Sequence, residues 1–380
     1  MTDIGFSVEE TMLKNSVSDF LSSQGSVAQL RSIRDERPPR GFDDKFWTEA
    51  ASLGLTGVAI AEAHGGVGFG YTGLGLVLEE VGRNLTVSPY EATVLSCATV
   101  ISDFATAEQK EELLPLICEG SIVLSLAIDE DSRFDWENLS VHGQRTESGW
   151  SISCVKKNVS YVSGADCFLV AVKTSADSEA RNRYSVFMIR SDCEGVSCEA
   201  QPSIDEHDVG TLRLDNVRVA ESSRIGLREL DAAEFERVCD VIAVGLAAEM
   251  LGLSEEAFNR TLAYTKEREQ FGRKIGSFQA LQHRLAILFV ELEIARKLIT
   301  HTLRKLDGNE GDIRLSASVC KAKLGAVSKL VTNEAIQMHG GVGMTDEYDI
   351  GFFIKRARVL DHMFGDYHFH LERIASLDGI

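Results

Sequence analysis

The chain has 380 residues, 44% hydrophobic and 26% charged, the balance of a globular protein with room for two or three domains and a sizeable core. Its net charge of −19 repels phosphate backbones and disfavours general nucleic-acid binding, while leaving room for one phosphate ligand held by local arginines. No apolar run approaches the roughly 18 residues of a spanning helix, and Met1–Gly5 lacks the basic and apolar regions of a signal peptide.

The eight cysteines are scattered and form no CxxC pair, so zinc ribbons and thioredoxin-type redox motifs have no support. Reduced thiols in a cytoplasmic protein are expected.

The first segment is helical. Ser7 and Glu10 form a capping box, and Leu13, Val17, Phe20 and Leu21 follow at helical spacing. Arg37-Pro38-Pro39-Arg40 breaks the chain. Phe46 to Leu53 and Gly73 to Val81 continue the helical pattern, with Gly65, Gly66, Gly68 and Gly70 in the loop between them. That loop matches neither GxGxxG nor GxxxxGK[ST], so it is no nucleotide signal. Another helix is expected over Ala107 to Cys118.

The period changes near residue 121. Ile122, Leu124, Leu126 and Ile128 alternate with other residues, as a half-buried strand does. Phe168, Val170 and Val172 repeat the pattern, as do Tyr184, Val186 and Met188, then Leu212 and Leu214, then Val217 and Val219. Gly149, Gly164, Gly195 and Gly210 punctuate these runs, and Asn216 is expected in a structural strand-end turn. Short strands in this number fit one β-barrel or sandwich domain.

From about residue 229 the helical period returns. Leu281, Leu285, Leu288, Leu292, Ala295 and Ile299 form one stripe, and Ile287, Ile294 and Leu298 widen it, which predicts a face buried in a bundle. The segment 307–311 is expected as a loop, and Leu315 to His339 as a long helix ended by Gly340-Gly341. The fold expected is α+β and multidomain: an N-terminal helical domain over 1–120, a central β-barrel or sandwich over 121–228 and a C-terminal four-helix bundle over 229–380.

Two stretches carry a resemblance. One is Tyr264-Thr265-Lys266-Glu267-Arg268-Glu269-Gln270-Phe271-Gly272 followed by Phe278-Gln279-Ala280. The other is Gln337-Met338-His339-Gly340-Gly341-Val342-Gly343 followed by Glu347-Tyr348 and a basic helix to Arg358. With the order of helical, β and helical segments, these resemble the acyl-CoA dehydrogenase family over nearly the whole chain. Arg268 can make charge-assisted bonds to a pyrophosphate, Phe271 and Phe278 offer apolar surface, and Gln279 and Gln337 offer amides. Gly340 and Gly341 let backbone amides approach a cofactor closely. The resemblance implies that these groups hold the ADP end of FAD across a subunit interface, with the flavin ring against the β domain of the other chain.

The chain departs from the family where chemistry is done. The family's base, a glutamate in a Tyr-Glu-Gly-Thr turn, falls on Phe364 of Met363-Phe364-Gly365-Asp366, and a phenyl ring takes no proton. The alternative base position, on the first helix of the C-terminal domain, falls on Ile242, followed by Ala243. Asp240, Glu249 and Asp366 are the nearby carboxylates. Asp366 is the best remaining candidate base, with a helix N-cap as its competing role. The family's flavin loop corresponds to Ile128-Asp129-Glu130-Asp131-Ser132-Arg133-Phe134-Asp135, whose first three carboxylates are expected to repel phosphates. The family's Trp-Ile-Thr corresponds to Asn158-Val159-Ser160, leaving only the Ser160 hydroxyl on the flavin side.

An intact nucleotide half and an altered ring half resemble the β-type subunits of bacterial α2β2 acyl-CoA dehydrogenases, some of which act on steroid side chains. That likeness implies a homologous partner subunit, an acyl-CoA substrate, FAD shared across the interface and an electron-transfer flavoprotein or similar acceptor. A self-sufficient homomeric dehydrogenase with an atypical base, and a flavin-dependent oxidase or monooxygenase on the same fold, are the alternatives. His362, His368 and His370 are poorly spaced for a metal, and no GxSxG elbow supports serine-hydrolase chemistry.

Overall fold

A computed structural model describes residues 6–141, 143–174, 183–309 and 311–380. The expectations on Met1–Gly5 and on Glu310 lie outside the described residues. Helices α1 (Val8–Gln24), α2 (Val27–Glu36), α3 (Asp44–Ser52), α4 (Gly70–Asn84), α5 (Ala98–Phe104) and α6 (Ala107–Cys118) come first. Strands β1 (Leu124–Ala127), β2 (Gln144–Thr146), β3 (Gly149–Ser160), β4 (Cys167–Lys173), β5 (Tyr184–Arg190), β6 (Val196–Gln201) and β7 (Val209–Val219) follow. Helix α7 (Ala232–Glu267) leads into a small hairpin, β8 (Glu269–Gln270) and β9 (Arg273–Lys274). Helices α8 (Gln279–Asp307), α9 (Arg314–His339), α10 (Ile350–His362) and α11 (Tyr367–Asp378) complete the chain.

The described residues divide into two units, one drawn from those up to Arg31, Tyr71–Thr86 and from Ala243 onward, the other from Ser32–Gly70 and those between Val87 and Ile242. The divisions at Arg31 and Ile242 fall inside α2 and α7.

In the second unit, β1, β4 and β5 form one sheet, with β1 parallel to β4 and β4 antiparallel to β5. β2, β3, β7 and β6 form a second, antiparallel sheet. Ala127, Phe168, Val170, Val172, Phe187 and Ile189 of the first meet Ile152, Cys154, Leu212, Leu214, Val217 and Val219 of the second in one apolar core. This is a sandwich. Among the described residues the strands form no closed barrel, because the two sheets share no strand. The inward residues of β5 are Phe187 and Ile189, whereas Tyr184 and Val186 are buried on the opposite face, where Tyr184 stacks on Phe235 at 4.8 Å. Ile122 precedes the first strand instead of lying in it.

Two bulges set the register of β3 against β7. Ile152 pairs with Val217 but Cys154 with Leu214, so β7 spends an extra residue at Asn216 (φ 50°). Asn216 is therefore a mid-strand bulge, not a strand-end turn. The extra residue restores the inward direction to Val217 and Val219 after Leu212 and Leu214. The second bulge places the extra residue on β3 at Asn158 (φ 53°), a residue type that tolerates this conformation. Gly210 lies inside β7, where a Cβ would collide with the Glu199 carbonyl of β6.

In the first unit, the Ser7 hydroxyl accepts from the Glu10 amide and the Glu10 carboxylate accepts from the Ser7 amide, the expected capping box. Leu285, Leu288, Leu292, Ala295 and Ile299 of α8 are buried. The second row is not: Ile287 and Ile294 are exposed and Leu298 is half-buried. The periodicity marks two apolar stripes, but this unit covers only one of them.

Candidate functional site

Helix α7 ends one residue before Arg268, and β8 and β9 form a hairpin closed by Gln270 and Arg273. Its turn residues, Phe271 and Gly272, have φ of 53° and 75°, the left-handed pair that a tight two-residue turn requires. The turn lifts Phe271 into solvent, 91% exposed, and its ring meets half-buried Phe278 edge-on at 6.2 Å. The Arg273 guanidinium lies 4.0 Å from the Phe278 ring centre. Glu269, Arg273 and Lys274 thus sit on the hairpin, with Glu267 at the end of α7. Arg268 and Gln279 are exposed, and neighbouring Glu269 is paired with Lys274 at 3.1 Å.

The second stretch closes α9. Gln337 is exposed, His339 is buried, and Gly340 (φ 65°) ends the helix. A Cβ on Gly340 or Gly341 would meet nothing within 4 Å, so both backbones face open space. One aromatic contact brings the two stretches together. Tyr264, one turn before Arg268, stacks on His339 with ring centres 4.3 Å apart and planes at 26°.

These residues fit the nucleotide end of a dinucleotide cofactor. Arg268 supplies an accessible cation for phosphate, Gln279 and Gln337 supply amides, and Phe271 supplies an apolar surface. The open glycine backbones at 340 and 341 let donors approach without side-chain obstruction.

The turn between α10 and α11 is built differently. Phe364 (φ 53°) and Gly365 (φ 94°) are both left-handed, and a Cβ on Gly365 would collide with the Phe369 ring. Phe364 is half-buried and its carbonyl accepts from His370 Nε2 at 3.0 Å. Asp366 is the N-cap of α11: its carboxylate accepts from the Phe369 amide at 2.9 Å. Burial works against its ionisation, but the amide and the nearby His362 outweigh it and hold the carboxyl below its usual range. Ile242 and Ala243 are buried in α7. Glu249 is buried too, with Arg356 Nε 2.7 Å from one of its oxygens.

Ser160 ends β3, half-buried, in the sheet unit. The acidic loop is not the bare cluster of charge expected from sequence. Buried Lys156 donates to Glu130 at 2.8 Å and to the Ile128 carbonyl at 3.0 Å, and Lys157 pairs with Asp131 at 3.2 Å. Alternation along β3 aims Lys156 into the fold, where it neutralises the loop above it. Asp129 is the harder one to ionise: burial pushes its carboxyl up to about 6, against the hydrogen bond from Asn158 and the charge of Lys156.

Residues 237–376 match the family Acyl-CoA dehydrogenase, C-terminal domain, and residues 7–121 match Acyl-CoA dehydrogenase, N-terminal domain. The chain belongs to the acyl-CoA dehydrogenase family. It is a flavoprotein oxidoreductase of that family, with helical N- and C-terminal portions and a central sheet region. It is 29% identical to acyl-CoA dehydrogenase FadE12 of Mycobacterium tuberculosis (strain ATCC 25618 / H37Rv) over 370 residues, 94% of this chain and 93% of that one. Among solved structures, a variant of the Tcur3481-Tcur3483 steroid ACAD shares 29% identity with a TM-score of 0.87, covering 98% of each chain. The ChsE4-ChsE5 complex from Mycobacterium tuberculosis, 22% identical with a TM-score of 0.89, covers 100% of this chain and 99% of its own and shares the fold.

Buried charged groups escaped the sequence, Glu79, Glu255 and Lys321 among them. Glu79 on α4 pairs with Lys14 of α1 at 3.2 Å, Arg83 at 3.0 Å and Arg296 of α8 at 3.2 Å, while Glu255 of α7 pairs with Arg83 and Arg296. Burial opposes ionisation of Glu79, but Arg296, Lys14 and Arg83 hold its carboxyl down to about 2. Lys321 on α9 is fully enclosed and donates to the carbonyls of Asp361 and Gly365, both at 2.9 Å. Its signal was present, a lysine among the buried residues Ala317, Cys320 and Leu324 of one helix. No helix of the described residues is long and apolar enough to cross a membrane, and none of their His, Cys, Asp and Glu side chains cluster to hold a metal ion.

Proposed function

We propose that this chain is the non-catalytic subunit of a heteromeric acyl-CoA dehydrogenase, lending a nucleotide half-site to the FAD of a homologous partner in an α2β2 assembly. The observation that carries this reading is the contrast within one helical unit. Its half-site around Arg268, Phe271, Gln279, Gln337, Gly340 and Gly341 is open, whereas its 363–366 turn presents Phe364 and commits the Asp366 carboxylate to capping a helix. FAD, when bound, supplies the hydride acceptor. This chain's residues bind and orient the nucleotide end, Arg268 against phosphate charge and the glycine amides beside it. The 29% likeness to a steroid ACAD whose name joins two components supports an assembly of unlike subunits and a bulky acyl-CoA ester as substrate. An electron-transfer flavoprotein or similar carrier would take the electrons, in the cytoplasm. The domains proposed are 1–120, 121–228 and 229–380.

A second reading, the self-sufficient homomeric enzyme, draws support from the lysines that neutralise the acidic loop. Colour separates the two. Under the proposed function the chain purified alone is colourless, and FAD is retained only when a homologous partner is co-expressed. A yellow homo-oligomer bleached by an acyl-CoA would overturn it. In the complex, Arg268→Ala lowers flavin content while the chain stays folded; unchanged flavin content counts against the half-site.

A further inference from the structure

His339 joins the two stretches of the half-site, and its hydrogen bonding is unusually constrained. Its Nδ1 lies 2.7 Å from the Ala335 carbonyl, which can only accept, so Nδ1 carries the proton. Burial holds the imidazole below its usual pKa, with the bond to Ala335 opposing, so the ring is neutral and Nε2 is a lone-pair acceptor. The residue is 4% exposed, and Nε2 is buried with no partner. An acceptor left in that state is destabilising unless a donor arrives.

The surroundings fix the ring on several sides. Tyr264 stacks on it at 4.3 Å, Tyr348 lies 5.0 Å away at 52°, and the Tyr264 hydroxyl reaches the His339 carbonyl at 3.5 Å. Gly343 has no room for a side chain because a Cβ there would stand 2.9 Å from His339 Cβ. The next residue is Gly340, whose left-handed backbone opens the helix end.

We propose that His339 is the positioning residue of the nucleotide half-site. It locks the Gly340–Gly341 backbone to the Arg268 segment through Tyr264, and it holds Nε2 as the acceptor for a hydroxyl or amino donor that arrives with the nucleotide, directly or through a water. This rests on the half-site reading, and the test separates the two.

The full chain, labelled with 15N-histidine and assembled with its co-expressed homologous partner, is titrated with FAD and with ADP, and binding is also measured by calorimetry. Free, His339 shows the Nδ1–H tautomer at pH 7; on addition of either ligand its Nε2 resonance shifts upfield as it accepts a bond. His339→Phe, which keeps the stack but loses both nitrogens, weakens binding about tenfold, the loss of one hydrogen-bonded contact. His339→Gln, whose amide can supply both a donor and an acceptor, restores most of that loss. An unshifted Nε2 at saturation overturns the proposal, as does equal weakening by the two variants. The resonance test stands even where His339→Phe fails to fold. Arg268→Ala reports on the half-site itself: if it leaves FAD and ADP binding unchanged, the half-site reading fails, whereas weakening by Arg268→Ala without weakening by His339→Phe removes only the role of His339.

Discussion

Gly252 of α7 rests directly on the carbonyl oxygen of Glu79 of α4. The contact is reciprocal, because Gly82 of α4 rests on the carbonyl of Glu249 in α7. Each pair is three residues apart on its helix, so the two helices cross backbone against backbone with glycine on each side. Gly252→Ala is expected to cost about 3 kcal/mol or more, since the added methyl would meet backbone that cannot rotate away. Urea unfolding of the purified chain measures this, and a loss below 1 kcal/mol would show that the crossing is loose.

The same crossing buries Glu79 among Lys14, Arg83 and Arg296. Glu79→Gln removes the buried carboxylate shared by half-buried Lys14, Arg83 and Arg296 and is expected to cost about 3 kcal/mol at pH 7. The carboxyl sits at about 2 in the fold, below its ordinary 4.5, so its contribution is complete above 4.5 and drains away as pH falls towards 2. Unfolding measured between pH 5 and pH 2.5 should therefore show a steeper loss in the parent than in Glu79→Gln.

Lys321 gives a slope of the same sign in an alkaline range. Burial lowers its ammonium to about 8 from 10.5, despite the attraction of Asp361 and Asp366. The unfolded chain holds that proton more tightly than the folded one between those values, so this group adds stability as pH rises from about 8 to 10.5. Lys321→Met removes that rise and strands the carbonyls of Asp361 and Gly365, a loss of about 2–4 kcal/mol at pH 7. Thermal melts across this pH range check both effects.

Asp366 separates capping from catalysis. Asp366→Ala is expected to cost about 1 kcal/mol through the lost cap, while Asp366→Asn, a comparable cap, changes stability by a few tenths and leaves turnover of the assembled enzyme intact. A large fall in turnover with Asp366→Asn, at unchanged stability, would mean that this chain supplies a base.

Much of this protein is written along the chain. Local signals fix the Ser7–Glu10 cap, the span of α6 and the glycine end of α9, because each depends on groups within a few residues. The segments around Arg268 and Gly340 carry the family resemblance in the same local way. That position 364 holds Phe and position 242 holds Ile is equally plain, since it is a matter of residue identity.

Tertiary structure decided the rest. Periodicity identifies an apolar stripe but not what covers it, so Leu288 is buried and Ile287 exposed although both are apolar positions of α8. The run Asp129-Glu130-Asp131 has the same formal charge in either state, yet Lys156 and Lys157 neutralise two of its members only because β3 folds beneath the loop. Tyr264 meets His339 by a packing of α7 on α9 that no local signal encodes. Hydrogen bonds within a turn follow from sequence order, whereas burial and charge pairing depend on neighbours that only the folded chain supplies.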